Sequence, residues 1–255
     1  MKHVSIVSSV HAEWIKFRSV RSTTYSVITM FVLSLGIGAL IDWGGAYHPD
    51  RADVIDPLTR SLAGHFFAQF VVGVIGAMII TSEYSTGSIR NSLAAVPQRT
   101  LLIFSKVIVL IGAIIITSEI LSFSMFSIGQ AIFKGHIVSY SYSTPGVFRA
   151  VLLCGVYLTL LSLMGFALGL MLRRTPAAIV VFVVAILIVP ILVALLPKSW
   201  GNPINRYLPS SLGEGMFSLN QSPGTFSPLV CLVILIVYMT ALLGTGIVLF
   251  NRRDA

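Results

Sequence analysis

The sequence predicts an all-α, polytopic membrane protein. It has six transmembrane helices, an N-terminal amphipathic helix lying at the interface, and a short cytoplasmic helix between the second and third spans. Three observations predict this. Of 255 residues, 56% are hydrophobic and only 10% charged, whereas soluble domains carry about 25% charged residues; mean hydropathy is +0.92. One soluble core cannot hide that much apolar surface, so the bilayer is the solvent. Six runs, at roughly 23–41, 62–82, 103–127, 148–172, 177–196 and 228–250, reach the roughly 20 residues that a spanning helix needs. Lipid offers backbone polar groups no partner outside a helix, and the alternating ten-residue segments of a β-barrel are missing.

The elements follow in order. Within residues 1–22, Val4, Val7, His11, Trp14 and Ile15 recur at helical spacing on one face, with Glu13 and Lys16 elsewhere. This predicts an amphipathic helix in the headgroup region with Trp14 at the interface. Residues 23–255 then form one six-span domain. The first apolar run begins late, and no A-x-A site follows it, so the first span is expected to be retained as an anchor. The stretch DWGGAYHPDRADVIDPLTR, 42–60, reads as an irregular outer loop. Its Asp50, Asp53 and Asp56 fit no EF-hand spacing, and a solvated loop is expected.

Within the spans, Gly165 and Gly169 form a small-xxx-small pair that invites a close helix crossing. Gly36 and Gly38, Gly73 and Gly76, and Gly244 and Gly246 are weaker versions. The fifth span starts RRTPAA, predicting Thr175 as N-cap and Pro176 as the first helical residue. Pro190 should kink or break that span. Residues 197–227 are too apolar for a free loop and too broken for a span, so a partly re-entrant or interfacial segment is expected. Glu119 is the one acid well inside a span. It is either a polar spot on a translocation route or a neutral, hydrogen-bonded acid near the outer headgroups. Cys154 and Cys231 lie in spans four and six without metal spacing and read as packing residues.

Charge sets orientation. With the N-terminus inside, the inner segments hold Lys2, Lys16, Arg18, Arg21, Arg90, Arg99, Lys106, Arg173, Arg174, Arg252 and Arg253; the outer loops hold Arg51, Arg60, Lys134, Arg149, Lys198 and Arg206. The excess places both termini in the cytoplasm. The net charge of +8 then reflects anionic lipid on the inner leaflet; no nucleic-acid motif is present.

That orientation puts EYSTGSIRNSLAAVPQR, 83–99, in the cytoplasm. Thr86, Gly87 and Ser88 make a turn. Ile89, Leu93 and Val96 share one face of a short helix that ends before Pro97. Arg90 offers a planar donor fork, Ile89 and Leu93 an apolar anchor, and Glu83 a carboxylate for Arg90, Arg99 or Lys106. A piece tethered to two spans moves both when it is pushed.

Residues 83–107, EYSTGSIRNSLAAVPQRTLLIFSKV, resemble the loop of ABC transporter permeases of the type-2 exporter class. That loop runs Glu-Tyr, Gly-(Ser/Thr)-Ile-Arg, Leu-Ala, Pro, Arg and Lys. Residues 11–27, HAEWIKFRSVRSTTYSV, are similar to the opening of such permeases from high-GC Gram-positive (actinobacterial) bacteria. The resemblance implies a bacterial cell-membrane permease that pairs with a second permease subunit, identical or related. Each permease docks on a separate cytoplasmic ABC ATP-binding subunit that carries ATP and Mg. It also implies a coupling helix at Glu83, Tyr84, Gly87, Ser88, Ile89, Arg90, Leu93 and Arg99, and a connecting helix bearing Trp14, Lys16, Arg18 and Arg21.

The chain contains no Gly-Lys dipeptide, hence no phosphate loop. It has no HExxH, CxxC or GxSxG, and its five histidines are scattered. No catalytic, metal or cofactor site is expected. The sparse charge in the spans suits an amphipathic cargo such as a drug, antibiotic, peptide or lipid. The main alternative is a proton-coupled secondary transporter using Glu119, with His65 or Gln69. A lipid-directed enzyme and an assembly protein that binds an ATPase without transport are weaker alternatives.

Overall fold

The computed structural model describes residues 5–47, 56–219 and 224–252. Those residues are all-helical, without strands, and six of the helical stretches are long and apolar enough to cross a membrane. Helix α1 (Ile6–Ser19) precedes the first span, α2 (Arg21–Tyr47). The short α3 (Pro57–Ser61) leads into α4 (His65–Ser85). Helix α5 (Ile89–Ala95) lies between α4 and α6 (Arg99–Phe133). Then come α7 (Val147–Leu172), α8 (Thr175–Val183) and, after one π-turn, α9 (Val189–Ala194). The chain continues through α10 (Lys198–Asn205) and α11 (Pro209–Phe217) to α12 (Pro228–Arg252).

Helix α7 is the axis of the bundle, buried along most of its length and packed against α4, α6, α11 and α12. Its closest neighbour is α4, and the glycines explain why. A Cβ on Gly165 would collide with the carbonyl of Gly73, and one on Gly76 with that of Ser162. The predicted small-residue crossing therefore lies between spans four and two. Gly36 and Gly244, by contrast, face open space. The outward faces of α2, α8 and α12 carry Tyr25, Val32, Val180, Val233 and Val237, apolar and exposed, as expected where lipid is the neighbour.

The spans differ from the sequence expectation mainly at their ends. Helix α6 has 35 residues, about 52 Å at 1.5 Å per residue, longer than a hydrocarbon core of about 30 Å requires. Polarity marks where apolar surface stops, and a helix need not stop there. Pro190 does not break the fifth span, which runs on as one helical stretch from Thr175 to Ala194; the ladder only loosens ahead of it. Pro190 cannot donate to a carbonyl one turn back, and the preceding Val184–Ile188 widens into the π-turn, where Val189 N–H reaches Val184 O. The predicted cap of that span is corrected. Arg174 occupies the N-cap without a side-chain bond, and Thr175 is already helical. The Thr175 hydroxyl instead donates to Thr81 Oγ1 at 2.8 Å, tying α8 to α4.

The described residues of 197–227 include two short helices, α10 and α11. Helix α11 tucks Leu212, Met216 and Phe217 against α7 and α12, with Phe217 edge-on to His65 at 4.8 Å. Within the 42–60 segment, Asp56 is the N-cap of α3, accepting from Thr59 N–H at 3.4 Å and from Tyr140 O–H at 3.1 Å. Asp50 and Asp53 lie outside the described residues, as does Val4.

Candidate functional site

Residues 5–19 and the 83–99 segment meet at one end of the bundle. Ser5 caps α1, and the helix stops where Val20 turns extended, so span one begins at Arg21 rather than at residue 23. Val7, Trp14 and Ile15 share one exposed face of α1, with Trp14 stacked on Phe17 at 6.1 Å. The opposite, polar side of α1 packs on α6. It carries Glu13, which is buried.

Four charged side chains join there. Lys106, only 1% exposed, donates at 2.7 Å to both Glu13 Oε2 and Glu83 Oε1. Lys16 closes the same pair from outside, at 3.0 Å from Glu13 Oε1 and 3.3 Å from Glu83 Oε1, and its third proton goes to Ser92 Oγ at 3.0 Å. Ser92 in turn donates to Glu83 Oε2 at 3.2 Å. Two carboxylates and two ammonium groups, from α1, α4 and α6, cancel in this clasp, and Ser92 ties α5 to it. A buried charge needs this many partners to offset its desolvation. Partial burial works against the charge on Lys16, but the carboxylates of Glu13 and then Glu83 outweigh it and raise its pKa above 10.5.

The turn before α5 forms as predicted. Gly87 has φ +70, a conformation natural only to glycine; Thr86 Oγ1 donates to Ser82 O at 2.9 Å. Helix α5 ends at Ala95, with Val96 extended before Pro97. Ile89, Ser92 and Val96 face inward, and Leu93 is half-buried against the core, while Arg90, Asn91, Ala94 and Ala95 face out.

This corrects several sequence expectations. Ile89 is committed to this chain's own core, so it is no exposed anchor. Glu83 pairs with Lys106, one of its three predicted partners, and with Lys16, which was not among them. Arg99 is turned toward the last span: its Nη1 donates to Phe250 O at 3.2 Å and Asn251 O at 3.4 Å, capping α12. Tyr84 lies under the Arg173 guanidinium at 5.1 Å, joining α4 to the end of α7. Gly87 and Arg90 are exposed, Ser88 half-buried, and Arg18 and Arg21 exposed beside the clasp.

The sequence expectation missed Glu13 and Ser92 as members of the cluster. Their signal was faint: an acid and a serine on helices whose apolar faces drew the attention. Lys106 had a stronger one, a lone ammonium four residues into a predicted span.

Glu119 lies elsewhere, 13 residues further along α6. It is half-buried, its carboxyl group is against Gly155 of α7, and its Oε2 has no hydrogen-bond partner. His65 Nδ1 bonds Leu62 O at 2.7 Å, and Gln69 Oε1 accepts from Tyr157 O–H at 3.0 Å, so neither is tied to Glu119. Among the described residues, no group of three His, Cys, Asp or Glu is arranged to hold a metal.

Comparison with known families gives a match. Residues 9–189 fit the model of the ABC-2 family transporter protein, most of the chain and all of the ionic cluster.

The chain belongs to the ABC-2 transporter family.

No curated protein matches the chain. As an ABC-2 transporter, it is the membrane component, a multi-pass permease with six candidate spans. The matched region ends one residue before Pro190, so α10, α11 and α12 lie beyond it.

Proposed function

We propose that the chain is the membrane subunit of an ATP-driven exporter, docking through the outer face of α5 on a separate ATP-binding subunit that holds ATP and Mg. The supporting observation is the clasp. Helix α5 is only seven residues long, too short to hold its shape alone. Ser92 and the salt-bridged Glu83 beneath it make it continuous with α1, α4 and α6. A force on Arg90 therefore acts on spans two and three and on α1 together. The partner need only bind two arrangements of these spans with different free energy to shift the balance between them.

In this reading Arg90, Asn91 and Ala94 form the docking face, with Gly87 and Ser88 at its edge. The exposed Arg18 and Arg21 of the connecting helix lie toward anionic lipid or the same partner. The positive-inside bias puts this end, with both termini, in the cytoplasm of a bacterial cell. A second permease subunit covers part of the apolar outer surface. The cargo is amphipathic, a drug, antibiotic, peptide or lipid. The test is co-purification in mild detergent with the ATP-binding protein encoded alongside, for wild type and Arg90→Glu. A complex that the exposed charge reversal weakens, with insertion intact, supports the proposal. No complex with either form refutes it.

A further inference from the structure

Beside the clasp lies a half-open cavity of about 540 Å³, between the end of α1, the start of α2, the ends of α4 and α5, and α6. Its inner wall is apolar, with Phe17, Met78, Ile79 and Val109. Its polar end is the clasp. Met78 precedes Glu83 by five residues, so the apolar end lies about 7.5 Å further along α4, toward the hydrocarbon. The shape is that of an amphiphile, polar at the interface and apolar inward.

The charges say which amphiphile. Glu13, Glu83 and Lys106 are buried and fixed, but the Lys16 side chain is 47% exposed. Its ammonium sits on a flexible four-carbon stem at the solvent edge of the cluster, so it is the member that can swing out into water. When it leaves, Glu13 Oε1, Glu83 Oε1 and Ser92 Oγ remain as acceptors around a vacated ammonium position. With Lys106 alone left against two carboxylates, that position carries a net negative charge. An anion finds no such place, because each donor of Lys16 is already taken by the protein.

We infer that the cavity binds a monocationic amphiphile, its primary ammonium replacing that of Lys16 between Glu13, Glu83 and Ser92 and its apolar tail lying along Phe17, Met78, Ile79 and Val109. Lys16 is the built-in competitor that holds the site closed when no ligand is present. The binding belongs to this chain alone and does not rest on the exporter reading.

The test uses the purified chain in detergent with a fluorescent long-chain primary alkylamine, and with its N-acetylated, uncharged counterpart as control. If Lys16 sits on its acceptors about nine-tenths of the time, Lys16→Ala tightens amine binding about tenfold. The amine should also raise the melting temperature of Lys16→Ala more than that of wild type, as ligand linkage requires. Met78→Trp fills the apolar end and should abolish binding in both backgrounds without disturbing the clasp. Equal binding of amine and acetylated probe overturns the inference. So does amine binding that Lys16→Ala leaves unchanged or weakens. Lys16→Gln, one atom shorter but keeping a neutral donor, is the second variant; it too should bind the amine more tightly than wild type.

Discussion

Replacing Lys106 by methionine keeps the length of the side chain and most of its packing. What is lost is the ammonium at 2.7 Å from both Glu13 and Glu83. Two buried carboxylates then share only the half-exposed Lys16. Removing one partner of a buried ion pair costs about 3–5 kcal/mol, two to nearly four decades in the equilibrium that holds α1, α5 and α6 together. For a chain of this size that corresponds to a fall in melting temperature of roughly 6–20 °C. Amide exchange should show the loss concentrated in α1 and α5. Adding Glu13→Gln and Glu83→Gln removes the stranded charges, so the triple variant should recover most of the loss. A Lys106→Met protein that melts within about 2 °C of wild type, a shift of about 0.5–1 kcal/mol by that scaling, would refute the reasoning. So would unchanged protection of α1.

Other predictions follow from the same geometry. Gly165→Ala places a methyl group against the Gly73 carbonyl and should cost about 1–3 kcal/mol, whereas Gly244→Ala, facing open space, should stay within about 0.5 kcal/mol of wild type; melting in detergent compares them. Because the folded pKa of Lys16 is raised above 10.5, the stability it gives is complete below 10.5 and is lost as pH climbs through the folded value. Proteolysis of α1 should therefore rise at strongly alkaline pH, and Lys16→Ala should flatten that rise. Gly87→Ala forces a side chain into a left-handed turn and should destabilise the 83–99 segment by about 1 kcal/mol, read as faster exchange in α5.

How much was legible in the sequence depends on which force set each feature. The spans were legible because the bilayer selects on apolar length alone. The end of α5 before Pro97 was legible because proline acts locally, whereas at Pro190 the span absorbs the lost hydrogen bond in a π-turn instead of breaking. The α4–α7 crossing was half legible: the glycines were visible, but not which helix each one meets. The clasp was hardest. Sequence pattern tells which face of α1 is apolar, and that face does turn outward. It does not say that Glu13, on the other side, meets a lysine 93 residues away. Ile89 and Leu93 illustrate the same limit, since an apolar stripe on a short helix suits a partner's pocket and the chain's own core equally well.

The account centres on the outer face of α5 as the place where an ATP-binding subunit docks. The most direct measurement is photocrosslinking from a probe installed at residue 90, in membranes containing the ATP-binding protein encoded alongside, with a second probe at Tyr142, at the opposite end of the bundle, as control. The account predicts a crosslink to the ATP-binding subunit from residue 90 and none from residue 142. A crosslink from residue 142 alone, or from neither position while the two proteins co-purify, would contradict it.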